Sequence, residues 1–324
     1  TPLLLLGADL KDCHQRTGPL LSSFCYASLA TLLACVVALT LLPCKTLLSA
    51  SMGGGGDGMK IAAALMAKNV GGGVNYIAVC NSLQASPNAV AAGLCVDNIF
   101  ALIYFPIVSA LASGKPDLAT ILDDDDDVQE ETKDVTKGEI TIQSLSTILS
   151  MSTAITFISH TLLNLFKRST SHALPLSTLL SILVLLLAPS KMLKPLQPTA
   201  EVVGTTLLYL FFATAGAPGF SIASSMKECF LPLSFFLIVL YALHGATLYF
   251  ICFLITHFSK KKNETVALQR LLTASSAAIG GPATAVALAK SNGWNSLIVP
   301  SLLVGNLGYA VATFLGIGFH AFFR

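Results

Sequence analysis

The sequence predicts an all-α polytopic membrane protein made of two structural repeats, each holding one broken, discontinuous transmembrane helix. Three observations predict it. Composition comes first: of 324 residues, 54% are hydrophobic and 11% are charged. Mean hydropathy is +0.73, whereas a soluble domain carries about 25% charged residues. Glycine placement comes second. Gly71-Gly72-Gly73 interrupts an apolar helical segment, and each glycine there costs about 1 kcal/mol relative to alanine. Such a segment suits a helix that stops and restarts inside the membrane, its freed backbone groups turned to a cavity. The third is recurrence: Gly280-Gly281 interrupts a second apolar segment, at an ungapped offset of 209 residues (281 − 72).

That offset pairs Gly71 with Gly280, Gly72 with Gly281, Asn75 with Thr284, Ala78 with Ala287, and Asp97 with Asn306. Upstream it sets Gly7-Ala8 on Gly216-Ala217 and the apolar run 20–43 on 229–252. Few positions are identical. The reading of an internal duplication rests on a glycine break and a polar residue deep in the following helix recurring together. The expected organisation is a first repeat over 1–113, N-terminally incomplete, an acidic linker over 114–140, and a second repeat over 141–324.

Pro2 to Ala8 reads as the end of a spanning helix. No signal or transit peptide is visible before it, so the chain is expected to begin inside a larger precursor. Residues 19–43 form a full span, since about 20 residues are required. The glycine-rich stretch from Ser51 to Gly56 is a flexible connector. The first broken helix runs over 59–83, and Ser86-Pro87-Asn88 starts the next helix. Asp123 to Asp127 with Glu130 and Glu131 make the linker acidic. It is either a dock for a cation or partner, or a solvated connector.

The second half offers apolar runs at 141–166, 173–189, 200–217, 228–257, 266–290 and 295–321, with basic loops at Lys167-Arg168, Lys191 with Lys194, and Lys260 to Lys262. If every run spans, the halves are parallel. Transporters with paired broken helices usually have inverted halves, so either 141–166 or 173–189 falls short of a full crossing, or the inverted reading fails. Loop charge leaves orientation open, because moving one crossing also moves the lysine triplet.

Net charge is +2 and is spread among loops, which gives no signal for nucleic acid. The eight cysteines lie mostly in or at the ends of apolar runs without metal-ligand spacing, and read as small buried side chains. Trp294 sits where an interfacial anchor belongs.

The polar residues inside apolar helices carry the chemistry. Asp97 lies about ten residues into a span, where an ionisable group is a functional candidate by default. Burial favours its protonated form and a bound cation its ionised form, which is the basis for exchanging a proton against a metal ion. Its structural reading is a carboxylate bonded to Asn98 or to a helix end. Asn98 either completes a cation shell or caps backbone groups. Asn306, the position paired with Asp97, is neutral, so the ion site of Asp97, Asn98 and Asn306 holds one titratable group.

Gly71, Gly72, Gly73, Asn75, Gly280, Gly281 and Thr284 are expected to border the substrate cavity. At Asn75 and Thr284 the half-helix ends would point at substrate, or these side chains satisfy backbone groups freed at the breaks. Lys68 is a counter-ion for Asp97, a contact for an anionic substrate, or a snorkelling lysine. His244 is a proton-relay partner or a hydrogen-bonded packing residue.

Several stretches resemble a known family. Lys60-Ile-Ala-Ala-Ala-Leu-Met, Gly71-Gly-Gly-Val-Asn-Tyr-Ile-Ala-Val, Val96-Asp97-Asn98, Gly204-Thr-Thr-Leu-Leu-Tyr-Leu-Phe-Phe, Gly280-Gly-Pro-Ala-Thr-Ala and Ala312-Thr-Phe-Leu-Gly-Ile-Gly-Phe look like the domain-of-unknown-function 819 (DUF819) membrane family over nearly the whole chain. Two or so of that family's N-terminal helices are missing here, and Lys68 and the acidic linker look like departures from it. The last motif is most similar to plant and algal members, which implies a plastid membrane. The family is grouped by similarity with cation/proton antiporters and bile-acid-type sodium symporters, which implies a sodium/proton antiporter-like fold with two broken helices crossing near mid-membrane. Asp97-Asn98 matches the antiporters' Asp-bearing helix, and His244 falls where some of them carry a basic residue.

The function expected is an ion-coupled secondary transporter, driven by protons or sodium, of unassigned substrate and working by alternating access. The alternative is a transport-inactive structural membrane subunit of a larger complex. A transporter should show a hydrated cavity reaching Asp97; a structural subunit should bury Asp97 dry. An enzyme is not expected: an intramembrane aspartyl protease needs two facing aspartates, and only Asp97 qualifies. No cofactor is called for beyond a bound sodium ion. The expected partners are the lipid bilayer and a small solute or ion, with a homodimer or larger membrane assembly permitted by the small residues of the glycine-rich segments.

Overall fold

The computed structural model describes residues 18–41, 43–52, 56–117, 141–169, 194–196, 198–200, 202–204, 206, 207, 210, 219–258 and 264–323. The Pro2–Ala8 segment, the acidic linker beyond Asp117, the run 173–189 and most of the run 200–217 lie outside them.

The described residues are all-helical, without a strand. In chain order the α-helices are α1 (Pro19–Thr40), α2 (Cys44–Ser51), α3 (Asp57–Gly71), α4 (Gly73–Ser82), α5 (Pro87–Ala112), α6 (Ile142–Ser169), α7 (Gly219–Phe258), α8 (Glu264–Gly280), α9 (Pro282–Ser291) and α10 (Ile298–Phe323). Five segments are long and apolar enough to cross a membrane: Pro19–Thr40, Pro87–Ala112, Ile142–Leu162, Lys227–His257 and Asn295–Phe323. Their outer faces are apolar, as lipid contact requires. On α5, Leu102 is 76% exposed, and on α7 Leu231 is 73% exposed. The protein is an integral, multi-pass membrane protein.

α3 and α8 are shorter, with 15 and 17 residues. At 1.5 Å per residue they reach only about 22–26 Å, less than the hydrocarbon core. Each is followed at a single glycine by a ten-residue helix. Gly72 (φ 78°, ψ 178°) and Gly281 (φ 81°, ψ −171°) occupy a backbone region that is essentially reserved for glycine.

The break is also a reversal. Thr284 Oγ1 donates to Ser276 O at 2.9 Å, a contact that eight residues of continuing helix would hold about 12 Å apart. In the first half, Asp57 Oδ2 at the start of α3 accepts from Ser86 N at 3.2 Å, and Lys60 Nζ donates to Gln84 O at 3.0 Å. α3–α4 and α8–α9 are therefore helical hairpins, where the sequence suggested only a helix that stops and restarts inside the membrane.

The hairpins enter from opposite ends of the bundle. α5 runs from Ser86, beside the open end of the first hairpin, to Pro116, whose carbonyl accepts from Gln269 Nε2 near the start of α8. α10 lies antiparallel to α3. Gly308 packs on Val70 and Gly71, Gly316 on Ala63 and Ala67, and the Phe323 carbonyl accepts from Lys45 Nζ at 2.9 Å. The tips meet in the middle: a Cβ on Gly72 would lie 3.3 Å from Gly281 Cα and N, with the Tyr309 ring against both glycines.

Trp294 is fully buried rather than set at a lipid interface, and its Nε1 donates to Lys115 O at 3.0 Å. Together with Gln269 and the Ser296–Asp117 hydrogen bonds, it ties the end of α5 to the second hairpin. The described cysteines form no disulfide.

Candidate functional site

At the last turn of each hairpin's first helix, backbone carbonyls lose their partners because the helix ends. The side chains that replace those partners organise the site. Lys68 O still has a backbone partner and accepts from Gly72 N at 2.7 Å; the carbonyls after it do not continue that pattern. Gly71 O accepts from Asn75 Nδ2 at 2.6 Å, and Asn75 Oδ1 accepts from Thr313 Oγ1 at 2.6 Å. Asn69 O accepts from Thr31 Oγ1 at 3.1 Å. In the second hairpin Thr284 Oγ1 reaches Gly281 O as well as Ser276 O, both at 2.9 Å. Asn75 and Thr284 thus satisfy backbone groups at the two tips. Gly71 and Gly280 sit equivalently beneath them, with no room for a Cβ against Asn75 Nδ2 or Thr284 Oγ1. Gly73 begins α4 directly after the turn.

Lys68 is 7% exposed, one turn before the first tip, and its Nζ lies 2.8 Å from Asp97 Oδ2. Asp97 is 1% exposed. The contact is an ion pair; among the described residues neither carboxylate oxygen has a hydrogen bond besides. Lys68 also stands in the last turn of α3, at its partly negative C-terminal end. A buried ion of this kind survives only with its counter-charge, and removing one partner costs about 3–5 kcal/mol.

Asn98 is exposed and Asn306 is buried on α10. Neither is hydrogen-bonded to Asp97. Asn306 lies between Gly305, which packs on Pro282, and Gly308, which packs on Val70 and Gly71, so it stands beside both tips. The 209-residue offset places Ala277 opposite Lys68 and Asn306 opposite Asp97, and those two positions hold no charged pair.

His244 is 1% exposed on α7, and both of its ring nitrogens are engaged. Nδ1 meets Thr31 Oγ1 at 3.0 Å, Nε2 meets Ser275 Oγ at 2.7 Å, and Ser275 Oγ meets Tyr104 Oη at 2.5 Å. This chain links α1, α7, α8 and α5, and through Asn69 O it reaches α3. One arrangement of hydrogens satisfies every member. Tyr104 donates to Ser275, Ser275 to Nε2, Nδ1–H to Thr31, and Thr31 to a carbonyl. A carbonyl passes no proton onward, so the chain is a clamp between helices and ends at the residue after Lys68.

Thr31, Tyr104, Ser275, Tyr309 and Thr313 are absent from the residues singled out in the sequence. Serine and threonine are ordinary in membrane helices, and only Tyr104 carried a signal, seven residues after Asp97 and so on the same face of α5. Its ring centroid lies 5.4 Å from that of Tyr241, which stacks on Phe100 at 6.0 Å, and the buried Tyr241 hydroxyl has no partner among the described residues. Among the described residues no group of three or more His, Cys, Asp or Glu side chains is placed to hold a metal ion.

Comparison with known proteins fits this membrane architecture. The uncharacterized membrane protein YjcL of Bacillus subtilis (strain 168) is 27% identical over 332 residues, which cover 97% of this chain and 78% of that protein. No solved structure matches. A family model described as a protein of unknown function (DUF819) matches residues 1–324, and the chain belongs to that family of uncharacterised membrane proteins.

Proposed function

We propose that the protein is an ion-coupled secondary transporter, driven by protons or sodium, that carries a small solute or ion by alternating access. The observation that carries this reading is the Lys68–Asp97 ion pair, buried one turn from the place where the two hairpin tips meet. A cation that takes Asp97, or a proton that neutralises it, leaves Lys68 without a counter-charge in a site where a lone charge is costly. Cation and proton therefore compete for one place, and the competition couples the site's occupancy to the position of Lys68.

The fold supports the same reading. Equivalent hairpins from opposite ends, tip to tip, belong to two repeats of inverted orientation, the plan that places a substrate site at mid-membrane. It is antiporter-like in having a broken element before an Asp-bearing helix in the first half. Gly71 to Gly73, Asn75, Gly280, Gly281, Thr284 and Asn306 border that crossing. The likeness of the segment 312–319 to plant and algal sequences supports a plastid membrane as its location.

A second reading, a transport-inactive subunit of a larger complex, is favoured by one observation: Asp97 is only 1% exposed. Flux decides between them. Full-length protein in liposomes, wild type against Asp97→Asn over pH 6 to 8.5, is expected to show proton- or sodium-driven flux that the substitution abolishes. Absence of flux in both folded proteins would favour the subunit.

A further inference from the structure

One face of α8 holds polar atoms that the chain does not satisfy. Gln269, Thr273 and Ser276 are spaced four and three residues apart, so with Gly280 they form one row along the helix. All three are 0–1% exposed. Gln269 Oε1, Thr273 Oγ1 and Ser276 Oγ have no hydrogen-bond partner among the described residues. Each such atom costs about 1–3 kcal/mol if nothing meets it.

Their orientation is not the ordinary one. Hydroxyls inside helices of this protein bond back to the carbonyl four residues earlier, as Thr31, Thr147 and Ser159 do. Thr273 and Ser276 do not. Three other buried helical hydroxyls, of Ser28, Ser234 and Tyr241, have no partner among the described residues, and they form no row of three on one helix.

The row also has an entrance and an end. Gln269 is beside Pro116 at the outer end of the second hairpin, and Gly280 closes the row at the tip, where Thr284 and Phe105 cover it. The corresponding row on α3 is Lys60, Ala64, Ala67 and Gly71. There Gly308, Ala312 and Gly316 of α10 close directly on Ala67 and Gly71, leaving an apolar, packed seam.

We propose that Gln269, Thr273 and Ser276 line an aqueous track along α8 by which small hydrated cations pass between the Trp294 end of the bundle and the hairpin tips. The free atoms are oxygens. Gln269 Nε2 is committed to Pro116 O, so Oε1 at the entrance offers a lone pair and no proton, which suits a cation with its water and not an anion. The track rests on the transport reading for its purpose, and its existence is tested without transport.

In full-length protein with its native cysteines replaced, reconstituted in liposomes, Thr273→Cys and Ser276→Cys are exposed to a membrane-impermeant trimethylammonium methanethiosulfonate and to its sulfonate counterpart. Ala274→Cys and Ala278→Cys, on the opposite side of α8, serve as controls. The track predicts modification of the first two from one side of the membrane, about tenfold faster with the cationic reagent, and none of the controls. No modification of the first two in folded protein, equal rates for both reagents, or equal labelling of the controls would overturn it.

A second measurement guards against a cysteine variant that misfolds. Thr273→Val with Ser276→Ala should leave the melting temperature unchanged or higher, because no protein bond is lost. The same pair should reduce labelling of a cysteine at Thr284 by about tenfold. Unchanged labelling there would overturn the track, whether or not ions are transported.

Discussion

Gly72 and Gly281 touch at the tips of two hairpins that enter the bundle from opposite ends, each with a positive φ and each against the ring of Tyr309. A Cβ would lie 3.1 Å from the Tyr309 ring at Gly72 and 2.9 Å from it at Gly281, tighter than ordinary contact, and the backbone at both admits a side chain only with strain. Gly72→Ala and Gly281→Ala should each destabilise the protein by about 1–3 kcal/mol, read as a lower melting temperature in detergent. Gly245→Ala and Gly318→Ala, where a Cβ would meet nothing within 4 Å, should be neutral or stabilising by up to about 1 kcal/mol, since both are helical.

The ion pair predicts a non-additive pattern. Lys68→Met alone leaves Asp97 buried without a counter-charge and should cost about 3–5 kcal/mol. Combining it with Asp97→Asn removes both charges and should recover most of that loss. Thermal unfolding of the two single variants and the double variant checks this, and additive losses would mean that the pair is not energetically coupled.

The clamp through His244 depends on a hydroxyl at Thr31. Thr31→Ser keeps the donor and should unfold near the wild-type temperature. Thr31→Val has the same shape without it, strands Asn69 O and His244 Nδ1, and should cost about 1–3 kcal/mol. His244→Phe should fall in the same range, and adding Thr31→Val to it should cost little more, because the chain is already broken.

At the outer end of the second hairpin, Trp294→Phe retains the ring and loses the bond to Lys115 O. The expected loss is about 1 kcal/mol. Hydrogen exchange at the amides of Lys115 and Asp117 should accelerate, since the segment is held there by Trp294, Gln269 and Ser296.

Much of this was legible in the residues. The glycine runs Gly71–Gly73 and Gly280-Gly281 stand where one helix ends and the next begins, and the 209-residue offset sets α4 on α9 residue for residue. Asp97 and Lys68 stood out because charge inside an apolar run is rare. The reversal at each tip was not legible: a glycine at positive φ reads the same whether the chain continues or turns back, and only the long-range bonds of Asp57, Lys60 and Thr284 decide it. The reversal also bears on the orientation of the halves, since a hairpin returns to the side it came from and adds no crossing.

Site partners were harder to read than site charges. Asn98 follows Asp97 in sequence, yet a helix turns about 100° per residue, which carries Asn98 to the exposed side. Trp294 has the composition of an interfacial residue, and the segment 115–117 buries it. Thr31 and Ser275 look like any hydroxyl in a helix until His244 is placed between them.

The central claim, that Asp97 and Lys68 form one site where a cation and a proton exclude each other, is tested most directly by proton release. Purified full-length protein in weakly buffered detergent solution is mixed with sodium, lithium or potassium chloride, with choline chloride as control. The account predicts that at least one of the metal ions, and not choline, takes the Asp97 carboxylate, leaves the Lys68 ammonium without its counter-charge and so releases about one proton per chain, that of Lys68, and that Asp97→Asn, which lacks the carboxylate, releases none. Folded wild-type protein that releases no proton with any of them, or an Asp97→Asn variant that releases as much, would contradict it.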